Sequence, residues 1–100
     1  NIVSYTDLYE QAGSEIIRKL GKRYQIYRKQ MGYTQKEVSE KSGLSLFTIS
    51  SFENGSLTGI TISSLLKLLR AIDHLEEIEK LLPELPPSPK AVFRKLQKGK

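Results

Sequence analysis

The fold is decided by residues 34–55, which read TQKEVSEKSGLSLFTISSFENG. Thr34 is followed three residues later by Glu37, the spacing of a capping box in which two side chains bond each other's backbone N–H groups. Gly43 supplies the positive φ that ends a helix and turns the chain. Ser45 then offers an N-cap oxygen to a second helix. The stretch therefore predicts two short helices joined by a tight turn.

The second of these helices, residues 46–52, is too short and too polar on one side to be a core helix. Its predicted buried side carries Ile49 and Phe52, and Val38 faces inward from the preceding helix, residues 35–42. A short helix of this kind, placed after a tight turn, is the part of a helix-turn-helix that enters the DNA major groove.

These residues resemble the helix-turn-helix of the phage-repressor family, the lambda-repressor-like or Cro/C1-type (XRE) domain. The resemblance rests on the spacing of Thr34-Gln35 and Glu37, then Gly43 and Ser45, then the FENG sequence at 52–55. It runs from about residue 18 to residue 82. It implies an all-α, five-helix lambda-repressor-like DNA-binding domain with a Pro-linked basic C-terminal tail.

We expect three parts in the chain. Residues 1–13 form an N-terminal extension, for which a short helix over 6–12 and an extended arm over 2–5 are both open. Residues 14–83 form the DNA-binding domain. Residues 84–100 form the tail, because Pro86, Pro87 and Pro89 favour an extended linker. Beyond them, residues 90–96 have room for one or two amphipathic turns, too short to be stable alone.

Helical periodicity predicts the elements that flank the motif. Residues 14–31 form a long helix capped by Ser14, and in the family resembled the position of Gly21 allows close packing between helices. Thr61 caps a fourth helix. Its predicted core stripe consists of Ile62, Leu65, Leu66, Leu69 and Ile72. A fifth helix spans residues 75–82.

The formal net charge of +5 is concentrated in the tail. Residues 88–100 contain five basic side chains and no acid, whereas residues 1–87 contain eleven of each sign. Within the body, residues 18–41 contain eight basic residues and two acids, and residues 73–84 contain five acids and one lysine. We therefore expect a basic side near the helix-turn-helix and an acidic far end, as on a DNA-facing surface.

The resemblance assigns DNA contacts residue by residue. The base-reading positions are Leu46, Phe47, Ser50 and Ser51. The phosphate-contacting positions are Gln35, Ser45, Thr48 and Asn54. Arg28 and Glu53 resemble an internal ion pair that locks the first long helix to the end of the reading helix.

Leu46 and Phe47 depart from the best-known phage members, which place amides at several of these positions. Neither side chain can hydrogen-bond a base edge, so the specific target left to them is the methyl group of thymine. For Phe47 an alternative is open, in which it packs on the protein itself or on a partner.

The residue inventory excludes most enzymatic chemistry. His74 is the only histidine and the chain has no cysteine, which leaves no ligand set for zinc and no histidine-based triad. We expect no enzymatic activity and no cofactor. No apolar run is long enough to span a membrane, and we expect a cytoplasmic protein.

Three functions compete. The first is a sequence-specific transcription regulator that binds double-stranded DNA as a homodimer on a palindromic operator. The second is an antitoxin-like subunit that binds a toxin partner and represses its own operon. The third is a DNA-independent interaction module. Leu75, Ile78, Leu81 and Leu82 exceed what so small a core needs, which predicts a dimer contact on the fifth helix.

Overall fold

A computed structural model describes residues 5–98, and the side-chain environments of 7–90 and 94–97. Six α-helices and one 3₁₀ helix account for its regular structure, and the described residues contain no strand. The α-helices are α1 (Tyr5–Glu10), α2 (Gly13–Gln30), α3 (Gln35–Ser42), α4 (Leu46–Asn54), α5 (Ile62–Ala71) and α6 (Pro89–Lys98). The 3₁₀ helix, Leu75–Lys80, lies between α5 and α6. The prediction of an all-α fold is confirmed.

The start of the chain differs from the sequence prediction in two respects. Residues 5–10 form a helix, so Tyr5 is not part of an extended arm; residues 2–4 of that arm lie outside the described residues. The prediction that Ser14 caps the first long helix is wrong. Ala12 holds the extended N-cap conformation, and its carbonyl accepts from the N–H groups of Glu15 and Ile16. Ser14 already lies inside the first turn.

The caps of α3 and α4 follow the sequence prediction. Thr34 Oγ1 accepts from the Glu37 N–H at 3.0 Å, and Glu37 Oε1 accepts from the Thr34 N–H at 3.0 Å. The second of these bonds lowers the pKa of Glu37, since it stabilises the carboxylate. Gly43 has a φ of +77°, and Ser45 Oγ accepts from the Thr48 N–H at 3.1 Å. These local bonds set the turn between the two helices.

The core lies where α2 and α3 pack on α4, and where α3 packs on α5. Its fully or almost fully buried apolar residues are Tyr24, Val38, Ile49, Phe52, Leu68, Ala71 and Ile72. Tyr24 brings the only hydroxyl into this group and donates it to the Leu68 carbonyl at 2.7 Å. Burial raises the pKa of Tyr24 well above its usual value, so the phenol remains a donor.

The backbones of α2 and α4 approach closely at Gly21. A Cβ atom placed there would lie 1.9 Å from the backbone oxygen of Phe52. Only a residue without a side chain lets the two backbones meet at this distance. The expectation of close helix packing at Gly21 is confirmed, and it fixes α4 against α2.

The last part of the body corrects two predictions. In the predicted stripe of α5, Ile72 is fully buried and Leu65 packs against the core, but Ile62 is 66% exposed. Leu68 and Ala71, outside that stripe, are buried as well. Leu75–Lys80 forms a 3₁₀ helix, not the α-helix expected over residues 75–82. No helix within the described part of the chain combines the length and apolar content needed to cross a membrane.

Candidate nucleic-acid interface

Helix α4 is buried on one side and open to solvent on the other. Ile49 and Phe52 are fully buried and face α2 and α3. Leu46 is 50% exposed and Phe47 is 80% exposed. Because adjacent exposed apolar side chains mark contact surfaces more often than single ones do, the first turn of α4 is a candidate contact surface.

The first turn is held rigidly by its cap. Ser45 Oγ lies 2.9 Å from Thr48 Oγ1 and also accepts the Thr48 N–H. Both hydroxyls therefore sit at the N-terminus of α4, where backbone N–H groups and the helix dipole favour an anion such as a phosphate. The exposure of Phe47 shows that it does not pack on its own domain, which removes one of the alternatives open for it.

Ser50 and Ser51 are separated by the fold. Ser50 is half-buried and lies on the same side of α4 as Leu46, one turn further along. Ser51 is only 7% exposed, and the segment that follows Gly55 returns over it, since the Leu57 N–H donates to the Ser51 carbonyl at 3.0 Å. Ser51 therefore has much less surface to offer a base than Ser50, and of the two serines Ser50 is the better placed for base reading.

The two amide candidates for phosphate contact are the first residue of α3 and the last residue of α4. Gln35 begins α3 and donates its Nε2 to Glu53 Oε1 at 3.0 Å, which leaves its second N–H. Asn54 ends α4, is exposed, and uses Oδ1 to accept from the N–H and hydroxyl of Ser56 at 2.8 and 2.7 Å. Because Oδ1 makes these bonds, the Nδ2 group of Asn54 points the other way, where it can donate to an external oxygen such as that of a phosphate.

A buried ion pair joins α2 to the end of α4. Arg28 donates Nε to Glu53 Oε2 at 2.7 Å and Nη2 to Glu53 Oε1 at 2.8 Å. Its Nη1 donates to the Tyr33 carbonyl at 2.8 Å. The two side chains are 7% and 1% exposed. The bonds to Glu53 raise the pKa of Arg28. Together with the bond from Gln35, this network positions the start of α3 relative to α4.

Comparison with known proteins agrees with this geometry. Residues 25–82, more than half of the chain, match a helix-turn-helix family model, the Cro/C1-type family that the residues resemble. The chain belongs to that family. It is accordingly a DNA-binding protein of the kind that regulates transcription. No curated protein and no solved structure gave a significant match.

The basic residues near the motif of this helix-turn-helix protein are almost all on its surface. Of the eight between residues 18 and 41, seven are exposed and only Arg28 is buried. Lys41 lies over the ring of Tyr33, 3.9 Å from its centroid. The seven exposed cations remain available to a polyanion. Among the described residues, no cluster of acidic and histidine side chains is arranged to hold a metal ion.

Two contacts of the helix-turn-helix were missed by sequence reasoning. The Tyr33 carbonyl is a third acceptor for Arg28, and Gln35 bonds Glu53. The first has no sequence signal, because every residue carries a carbonyl. The second follows only once α3 is placed across the end of α4.

Proposed function

We propose that this chain is a sequence-specific transcription regulator that binds a palindromic operator as a homodimer, with α4 in the major groove. The observation that carries the proposal is the orientation of α4. Its buried side is fixed by Ile49, Phe52 and the Arg28–Glu53 pair, while its first turn projects Leu46 and Phe47 into solvent. A rigidly held helix with a protruding first turn suits insertion into the major groove.

Phosphate contacts position the helix in this proposal. Gln35 at the start of α3 and Asn54 at the end of α4 each retain an amide donor beyond the internal bonds described above. Ser45 and Thr48 add the N-terminus of α4. Contacts of this type fix register on the duplex and carry little sequence information.

Base recognition then depends on a small set of side chains. Leu46 and Phe47 contact thymine methyl groups, since they have no hydrogen-bonding atoms. Ser50 supplies the remaining polar contact of this surface. With so few direct contacts, the sequence-dependent shape of the DNA supplies part of the discrimination, and two copies on a two-fold site supply the rest.

The test is selection of bound DNA from a random pool with the full chain. The expected result is a palindromic consensus with thymine in each half-site. Affinity for the selected site should fall with salt, by roughly 0.9 in the log–log slope for each neutralised phosphate. A pool that gives no enrichment would instead favour the DNA-independent interaction module, and an enriched but asymmetric site would remove the two-fold arrangement.

A second candidate is an antitoxin-like subunit, which would bind a protein partner as well as its operator. One observation favours it: Leu81, Leu82 and Leu85 are 65%, 89% and 85% exposed in succession along the chain. Affinity capture of the tagged chain, with nuclease added, separates the two candidates. A stoichiometric foreign protein retained without DNA supports the antitoxin, and recovery of the chain alone supports the homodimeric regulator.

A further inference from the structure

An apolar groove opens on the surface formed by α2, α5 and the 3₁₀ helix. Its volume is about 310 Å³. The apolar residues along it include Leu20, Tyr27, Leu65, Leu69, Ile78 and Leu81. We call it the α2–α5 groove. Leu69, which helical periodicity predicts for the core, lines the groove instead. Helix α5 therefore has apolar residues beyond those that pack in the domain core. None of the DNA-contact candidates lines this groove.

Helix α6, in contrast to the groove, is an amphipathic element without a surface to pack on among the described residues. Arg94, Lys95, Leu96 and Gln97 are all exposed, and within the described residues α6 makes no extensive packing with another helix. Its sequence places apolar residues at 92, 93 and 96, the three- and four-residue steps of one helical side. A helix of ten residues is marginal by itself in water. It is therefore expected to form against a surface that receives its apolar side.

Helix α6 is basic, whereas the segment that borders the groove is acidic overall. Residues 89–98 contain four basic side chains and no acid. The segment that borders the groove, residues 73–84, contains five acids and Lys80. The charged residues that line the groove itself are Arg23, Glu77 and Lys80. Glu77 holds Lys80 at 2.9 Å, and Glu76 and Glu79 lie exposed beside them on the 3₁₀ helix. A basic amphipathic helix laid in this groove would meet its apolar lining and turn its basic side toward the exposed acids of the 3₁₀ helix.

The linker between the groove and α6 indicates whether a groove binds α6 of its own chain or of a second copy. Leu81 lines the groove, and residues 82–88 then lead to α6 with Pro83, Pro86 and Pro87 among them. They have no regular structure and are exposed throughout. A proline-rich segment extends about 3.1 Å per residue, so these seven residues carry α6 roughly 20 Å from its own groove. A return would need a reversal within a stiff linker, whereas the groove of a second copy needs none.

We propose that α6 of one copy docks in the α2–α5 groove of a second copy, and reciprocally, so that the dimer is held by an exchange of C-terminal helices. The inference rests on the proposed homodimer and states which surfaces form it. The apolar side of α6, ending at Leu96, enters the groove. The basic side faces residues 73–84 of the second copy. A reciprocal exchange is closed by a two-fold axis, as a palindromic operator requires.

The first test is the oligomeric state of the full chain by sedimentation. Leu96→Asp adds a charge to the apolar side of α6, and Gln97→Asp adds the same charge on another side as the matched control. Both positions are exposed in the chain, so the helix-turn-helix domain should fold in each variant and keep a cooperative far-UV CD melting transition. The expected result is a dimer for the wild type and for Gln97→Asp, and a monomer for Leu96→Asp.

The second test distinguishes exchange from folding back. The chain has no cysteine, so Leu81→Cys and Leu96→Cys can be introduced in separate chains and mixed. Under mild oxidation, exchange gives a disulfide-linked dimer of the two different chains. A chain that carries both substitutions should also run as a covalent dimer on a non-reducing gel. If that chain runs instead as a monomer with an internal disulfide, α6 folds back and the proposal is overturned.

Other outcomes separate this inference from the proposed function. A Leu96→Asp variant that stays dimeric overturns the exchange and leaves the homodimer standing on another surface. A wild-type chain that is monomeric both free and on selected DNA overturns both. DNA affinity, measured for the same proteins, shows whether helix-turn-helix recognition survives on its own.

Discussion

Removal of Arg28 is the perturbation whose consequence the structure defines best. The guanidinium makes three hydrogen bonds, two to Glu53 and one to the Tyr33 carbonyl, at 2.7 to 2.8 Å. Arg28→Ala would leave Glu53, only 2% exposed, with the Gln35 amide as its one remaining partner. A buried carboxylate without its counter-charge is strongly destabilising.

The expected loss is large for a domain of this size. Breaking a buried pair by removing one partner costs about 3–5 kcal/mol, and we expect about 4 kcal/mol because Gln35 still donates to Glu53. Small domains have about 5–15 kcal/mol in total. At about 4–8 °C per kcal/mol, the melting temperature should fall by roughly 15–30 °C.

The assay is urea and thermal unfolding of the full chain, followed by far-UV CD. Lys29→Ala is the matched control, because Lys29 is the exposed neighbour on α2 and should change stability by less than about 0.5 kcal/mol. The double change Arg28→Met with Glu53→Leu removes both charges, and it should recover most of the loss since apolar replacement of a buried pair is often neutral. An Arg28→Ala protein that keeps its stability within about 1 kcal/mol and loses DNA binding would refute the argument and make Arg28 a DNA contact.

Three further predictions concern packing and recognition. Gly21→Ala should lower the net stability of the fold, because the clash of the new methyl with the Phe52 carbonyl outweighs the gain of about 1 kcal/mol that Gly to Ala normally brings in a helix. A raised melting temperature would show that α2 and α4 separate easily. Thymine-to-uracil substitution in a selected operator should weaken wild-type binding by at most about 1 kcal/mol per methyl, and Phe47→Ala should lose that sensitivity; equal sensitivity in both proteins would place Phe47 elsewhere. Gln35→Ala and Asn54→Ala should weaken binding to all DNA sequences by similar factors in titrations at one salt concentration, and a changed base preference would contradict their phosphate role.

Local signals predicted the helix-turn-helix well. The Thr34–Glu37 capping box, the positive φ of Gly43 and the Ser45 cap each depend on bonds within about three residues. Such bonds require no knowledge of the rest of the molecule, so the sequence specifies them directly. The buried side of α4 was also predictable, since Ile49 and Phe52 are large apolar residues three positions apart.

Other features followed only from the way the helices meet. Ile62 is exposed and Leu68 buried because α5 offers apolar residues on several sides, and the position of α3 selects one of them. Ser51 is covered because the segment after α4 returns across it. Ser14 failed as a cap because Ala12 had already begun the helix, although alanine carries no capping group.

The division has a physical cause. The sequence determined by itself what short-range hydrogen bonds and helical periodicity determine: the turn, the caps and the reading helix. Tertiary structure decided which apolar side of α5 is buried, where Gln35 donates, and that Leu69 lines a groove. These depend on the contact of segments far apart in the chain, where burial is shared among competing surfaces and the best total packing prevails over each local preference.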